Sequence, residues 1–412
     1  MHDSPGEAGQ LTADYQRLGE LSIPSGPVLL PAYVHVPFCS RHCWYCDFNV
    51  YERMGRLIEP YCQALIREIE DAARVLDGRV RVGCVYVGGG TPSLIGANLL
   101  TEILDALSVR FGFERGAEAT VEANPSNTTA SLLSALVEAG YDRLSMGTQS
   151  LSDQRLGELD RLHTATEALE ALDRAKATGF RSVSADLLYG VPGQTVREFE
   201  NGLQQVIDRD VDHVSAYALT LHGERAVRAG RRLGGPASDD AMAEFYDVAA
   251  ELLRGAGFEH YEVSNWSRPR HRCEYNGSIW RGSEYLAFGC GAHGYLAGRR
   301  YSLVREPQAY IDAILEGRST VQSLEPLTES DRLVESIAFP LRTRDGIDLQ
   351  LLAQAFQFDL INEKREEIDR LIANKLAELD GGRLRLTESG MILADAVALR
   401  LIPDNVSELG CE

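Results

Sequence analysis

The chain has 412 residues, 44% hydrophobic and 25% charged, a globular composition long enough for two or three folding units around a sizeable core. Its 61 Asp+Glu outweigh 41 Lys+Arg for a net charge of −20, which argues against general binding to phosphate backbones or anionic membranes. Eight cysteines are too few for a secreted disulfide scaffold, and the crowding of three of them into one short stretch points to a metal centre.

Residues 1–30 hold Gly6, Pro24, Gly26 and Pro27, which break any periodicity, and no apolar leader core, so an irregular extension is expected there. No apolar run approaches the roughly 18 residues of a spanning helix, and the expectation is a cytoplasmic protein without stable membrane insertion. From residue 31 to 257, β-branched runs at 33–36, 84–87, 119–123, 144–148, 183–188 and 214–219 alternate with helical patterns, the sign of parallel strands with crossover helices. Tyr61, Leu65, Ile69, Ala72 and Leu76 share one helical face, as do Leu99, Ile103, Leu104, Leu107 and Phe111 in the next helix. Thr164 with Glu167 and Thr195 with Glu198 have the spacing of capping boxes at two later helix starts. These units predict an α/β fold, a partial (β/α)6 TIM-like barrel.

Residues 258–324 read as extra strands with glycine turns that complete the barrel edge. After Pro326, three helical patterns precede residues 379–386, where leucines alternate around Gly381 and Gly382 as in a hairpin. Residues 325–403 are therefore expected to form a helical, winged-helix-like domain, and 404–412 a tail. With 10 Lys+Arg against 15 Asp+Glu over residues 325–402, nucleic acid is not the expected partner, and a cover over the barrel mouth is the better role.

The chemistry sits directly after the first strand, in Cys39-Ser40-Arg41-His42-Cys43-Trp44-Tyr45-Cys46-Asp47-Phe48. Three thiolates on one loop leave one iron of a four-iron cube open to a small molecule. A structural zinc would want four ligands in paired spacings, with His42 as the candidate for the fourth. The position at the carboxyl end of a barrel strand is where such folds place chemistry. Cys62, Cys84, Cys273, Cys290 and Cys411 have no ligand spacing and read as small apolar side chains. Tyr33 and His35 alternate onto one strand face, and His35 by itself reads as a satisfied core histidine.

With its flanks, this triplet resembles the radical S-adenosylmethionine (SAM) superfamily, and within it the oxygen-independent coproporphyrinogen III oxidase-like family, from Tyr33 to about Pro403. The resemblance implies a [4Fe–4S] cluster held by Cys39, Cys43 and Cys46, with SAM on the open iron. It also implies an electron donor such as flavodoxin or ferredoxin, and cleavage of SAM to a 5′-deoxyadenosyl radical. Within Gly88-Gly89-Gly90-Thr91-Pro92, it places Gly89, Gly90 and Thr91 at the SAM amino group. Glu122 would accept from the ribose or amino group, Gln149 would line the SAM site, and Arg161 would balance the SAM carboxylate. Asp186 would take the ribose hydroxyls, and Tyr33 and Tyr45 would flank cluster and adenine. Taken apart from the resemblance, the glycines read as a tight connection and Arg161 and Asp186 as ion-pair or capping residues.

Phe48 stands where the oxidase branch has a further cysteine, which sets porphyrinogen decarboxylation aside. Phe48, the Cys290-Gly291-Ala292-His293-Gly294 stretch and the carboxyl-terminal domain resemble the family's haem chaperones. Their His-Asn-x-x-Tyr-Trp signature reads Tyr275-Asn276-Gly277-Ser278-Ile279-Trp280 here, so haem would need Tyr275, His271 or Cys273 as donor. The two-SAM class C methyltransferases and cyclopropanases are similar in the same site and need no haem. The expectation is accordingly an enzyme that methylates or cyclopropanates a small-molecule substrate with a second SAM, the alternative being a haem chaperone. Oligomeric state is left open.

Overall fold

The computed structural model describes residues 27–113 and 116–403; most of the extension expected over 1–30, the tail and Cys411 lie outside the described residues. Two compact units are present, one built from residues up to Leu252 with Glu284–Glu325, the other from Leu253–Ser283 with residues from Pro326 on.

The first unit contains the six expected parallel strands, four of them longer than their apolar kernels: β1 (Val28–Val36), β2 (Val80–Gly89), β3 (Ala119–Ala123), β4 (Arg143–Gln149), β5 (Ser182–Tyr189) and β6 (His213–Ala218). Each pairs in parallel with the next in chain order, the arrangement that successive helical crossovers produce. β1 starts inside the stretch expected to be irregular, and its Pro31 is accommodated at a register shift between Leu30 and Pro31, where a missing N–H costs the ladder least.

On the far edge of β1 a further parallel strand, Leu286–Phe288, is added. The segment expected to complete the barrel edge is thus divided between the units. Residues 284–325 belong to the first unit and 253–283 to the second, where the backbone partners of Glu262 and Val263 are Thr343 and Arg342.

In the helix Ile58–Leu76 the predicted face is buried, together with Glu68. In Ala97–Phe111 the buried face runs through Leu100 rather than Leu99, since Leu100 keeps the three- and four-residue spacing to Ile103, Leu104, Leu107 and Phe111. The Thr164–Glu167 box forms in both directions. Thr195 caps through its hydroxyl, but the Glu198 carboxylate is taken by Arg155 Nε at 3.3 Å, a partner no local pattern reveals.

The second unit has the expected helices and hairpin. Strands Ala377–Asp380 and Arg383–Leu386 pair antiparallel around Gly381 and Gly382, both at positive φ, and Ile347–Asp348 adds a third strand. Leu333, Ile337 and Leu341 of the helix Glu329–Leu341 are buried, as are Leu384 and Leu386 on the central strand. No helix among the described residues is long and apolar enough to cross a membrane.

Candidate functional site

The cysteine loop is closed at its base by backbone pairing. Phe38–Cys39 runs parallel to Tyr51–Glu52, and Tyr51 N–H donates to Pro37 O at 2.8 Å. Gly90 and Thr91 N–H donate to Val36 and Phe38 carbonyls at 2.8 Å, which seats the glycine turn of β2 on the loop. Gly89 has φ +115°, and a Cβ there would stand 2.5 Å from the His35 ring, so only glycine allows this approach.

His35 itself is the satisfied core histidine expected. Its Nε2 donates to Asn49 O at 2.9 Å and its Nδ1 accepts from Tyr33 OH at 2.9 Å, while burial lowers its pKa to about 4. Between two of the cysteines, Trp44 anchors the loop by packing with Leu159, Leu188 and Leu219 and donating from Nε1 to Glu158 O at 2.6 Å.

At the carboxyl ends of the strands lies a cavity of about 410 Å³, within the ~300–1,000 Å³ of small-molecule sites. Cys39, Cys43 and Cys46 line it, and so do Tyr45, Gly89, Gly90, Thr91, Glu122, Gln149, Arg161 and Asp186. Tyr33 does not line it; it stacks on Tyr86 with ring centroids 6.3 Å apart and spends its hydroxyl on His35. Sequence reading missed the polar residues that align with the site by strand register. Glu122 pairs with Ser145, Ser145 with Ser184, and Asp186 with Ser215; the two-residue alternation along each strand was the available signal.

The cavity is electrostatically unfinished. Glu122 accepts from Tyr86 OH at 2.8 Å and from Gly89 N–H at 3.0 Å. Burial nonetheless pushes its carboxyl up to about 7, with the nearby Asp186 charge adding to the rise and those two hydrogen bonds opposing it. Asp186 accepts from Ser145, Ser184 and Ser215 hydroxyls at 2.8, 3.0 and 2.8 Å; burial raises it too, against the pull of those serines. Arg161 donates from Nη2 to Gly147 O at 2.9 Å and lies 4.0 Å from Cys43 Sγ, while its buried Nε has no partner among the described residues. Gln149 ends β4 in the left-handed region at φ +64°, a strained conformation for a non-glycine residue and a frequent mark of functional sites.

These features fit the expected cofactors. An unpartnered guanidinium N–H suits a carboxylate, and a carboxyl held near neutrality suits an ammonium group. The N–H groups of Gly89, Gly90 and Thr91 are already committed, so an ammonium group would meet carbonyl oxygens there. Burial raises the Cys39 thiol and pushes Cys46 up to about 11, so iron binding would have to displace their protons. Among the described residues no three His, Cys, Asp or Glu side chains converge on a single ion, whereas a cube asks each thiolate to reach a different iron. His42, the alternative fourth ligand, instead has its Nε2 3.2 Å from Cys46 O. Cys62, Cys84, Cys273 and Cys290 are buried and form no disulfide among the described residues, as expected of apolar thiols.

The sequence pattern of the Radical SAM superfamily matches residues 33–206, and that of the HemN C-terminal domain residues 327–393. The heme chaperone HemW of Mycobacterium tuberculosis is 38% identical over 376 residues, 90% of this chain and 94% of that protein. The heme chaperone HemW of Escherichia coli is 32% identical over 371 residues, 85% of this chain and 97% of its own. Among solved structures, coproporphyrinogen III oxidase (HemN) from Escherichia coli superimposes with a TM-score of 0.81 at 21% identity, covering 95% of this chain and 93% of that one. That likeness establishes a shared fold.

Proposed function

The chain belongs to the radical SAM superfamily, in the family of the heme chaperone HemW, and from this premise we propose that it binds haem and hands it to a recipient. Support comes from relatives named heme chaperones that match about nine-tenths of the chain. The two-SAM alkylation expected from the sequence has no such support from these relatives, which are named heme chaperones.

In this reading Cys39, Cys43 and Cys46 hold a [4Fe–4S] cluster whose open iron supplies one-electron chemistry on SAM when both are bound. The chain's own side chains then position SAM. Arg161 Nε, without a partner among the described residues, would donate to its carboxylate, and Glu122, held by Tyr86 and Gly89, would face its ammonium group in ionised form. Tyr45, beside the cysteines, gives the adenine an aromatic face. Reduction would come from a small electron-transfer protein of the flavodoxin or ferredoxin kind.

The test is a haem titration of anaerobically reconstituted protein, followed in the Soret region, with SAM and reductant assayed in parallel for S-adenosylhomocysteine. A stoichiometric Soret band without S-adenosylhomocysteine is expected. S-adenosylhomocysteine formed with a substrate, in protein that takes up no haem, would return the alkylating enzyme to first place.

A further inference from the structure

Haem binding needs an axial donor, and the segment in register with the relatives' signature is poorly equipped. Tyr275 stands in the histidine position, Cys273 is 2% exposed, and His271 is half-buried. Trp280 is already engaged within the second unit. Its Nε1 donates to Glu262 at 2.8 Å, and the Arg342 guanidinium lies 4.9 Å over its ring.

The first unit offers a different place. Phe48, Leu162 and Tyr217 are large apolar side chains left 65%, 49% and 40% exposed, and all three line the cavity that holds the cysteines. Exposed apolar side chains gathered around one opening mark a ligand surface. His222 lines the same cavity and is exposed; among the described lining residues it is the imidazole. It stands at the N-cap of the helix Gly223–Arg232 but does not use its ring to cap it.

That helix then presents Arg225, Arg228 and Arg232 along one face, exposed beside Trp44 in an adjoining recess. The row is unusual in a chain of net charge −20. Arg225 Nη2 donates to His42 O at 2.8 Å, which ties the start of the helix to the loop that carries Phe48.

An apolar rim, an exposed imidazole and a row of guanidiniums match an iron macrocycle that carries carboxylate side chains. We propose that His222 is an axial ligand of haem bound at the mouth of this cavity, with Phe48, Leu162 and Tyr217 against the macrocycle and Arg228 and Arg232 at its carboxylates. The assignment rests on the haem-binding reading and gives it a location, beside the cluster loop rather than at residues 271–280.

Hemin titration of the full-length reconstituted chain, read by Soret position and amplitude, tests it. His222→Ala should weaken binding at least about tenfold and shift the Soret band, and His222→Cys should restore binding with a thiolate-type spectrum. Arg228→Ala with Arg232→Ala should weaken binding about threefold without moving the band, and Tyr275→Phe should change nothing. Iron and sulfide content equal to the parent's would show that each variant is folded. An unchanged titration in His222→Ala, or loss of the band in Tyr275→Phe, overturns the assignment and leaves haem binding standing. A parent chain with no stoichiometric band overturns both.

Discussion

Glu122 in the first unit and Glu262 in the second are both carboxyls that burial pushes up to about 7, yet they are held differently. Glu262 receives Trp280 Nε1 at 2.8 Å and Ser264 N–H at 3.2 Å, and Asn265 and Arg342 also favour its charge. Glu122 has two protein donors and otherwise faces a cavity. A displaced pKa therefore does not mark function by itself. What separates the two is whether the stabilising partners are built into the chain or left for a ligand to bring.

The comparison would break first at Glu262. Glu262→Ala leaves the Trp280 and Ser264 donors without their acceptor, a loss of about 1–3 kcal/mol that chemical denaturation should read, while SAM affinity stays at the parental value. A SAM affinity that falls with it would erase the distinction between the two carboxyls.

At Glu122 the expected effect is smaller on the fold and visible in binding. Glu122→Gln should weaken SAM binding about tenfold while denaturation midpoints move little. The pH dependence sharpens this. Because the carboxyl is raised from 4.5 to about 7, the ligand-free native state keeps a proton that the unfolded chain has lost between those values, and its contribution to stability falls as pH rises through that window. An ammonium ligand prefers the ionised form, so SAM affinity should climb with pH until about 7 and then level. Calorimetry on Glu122→Gln should show a flat profile; a slope equal to the parent's would remove Glu122 from the binding site.

The smallest contrast separates two helix starts. Thr164 and Glu167 cap each other reciprocally, whereas Thr195 caps alone. Thr164→Ala should cost about 1 kcal/mol and Thr195→Ala somewhat less, measured by the same denaturation series. Equal losses would mean that the return bond from Glu167 adds nothing.

Much of the first unit was legible because its signals are local. The β-branched runs mark six strands, the triplet marks the loop, and a chemical resemblance assigns positions that prove to share one cavity. Tyr33 is absent from the cavity lining, since facing inward on β1 does not decide between the cavity and a neighbouring ring, and its hydroxyl donates to His35. The pairing of Glu262 and Val263 with Thr343 and Arg342 was not legible because those partners lie some eighty residues downstream. Arg155 captures Glu198 across 43 residues of sequence. The serines around Asp186 are visible only once strands are in register.

That last arrangement has a stereochemical consequence. A carboxylate offers about four lone-pair directions, and Ser145, Ser184 and Ser215 already fill three of them. Asp186 can therefore read one hydroxyl of a vicinal diol rather than both. Of the three serines, Ser145 lines the cavity, and having given its proton to Asp186 its oxygen would offer a neighbouring hydroxyl only an acceptor.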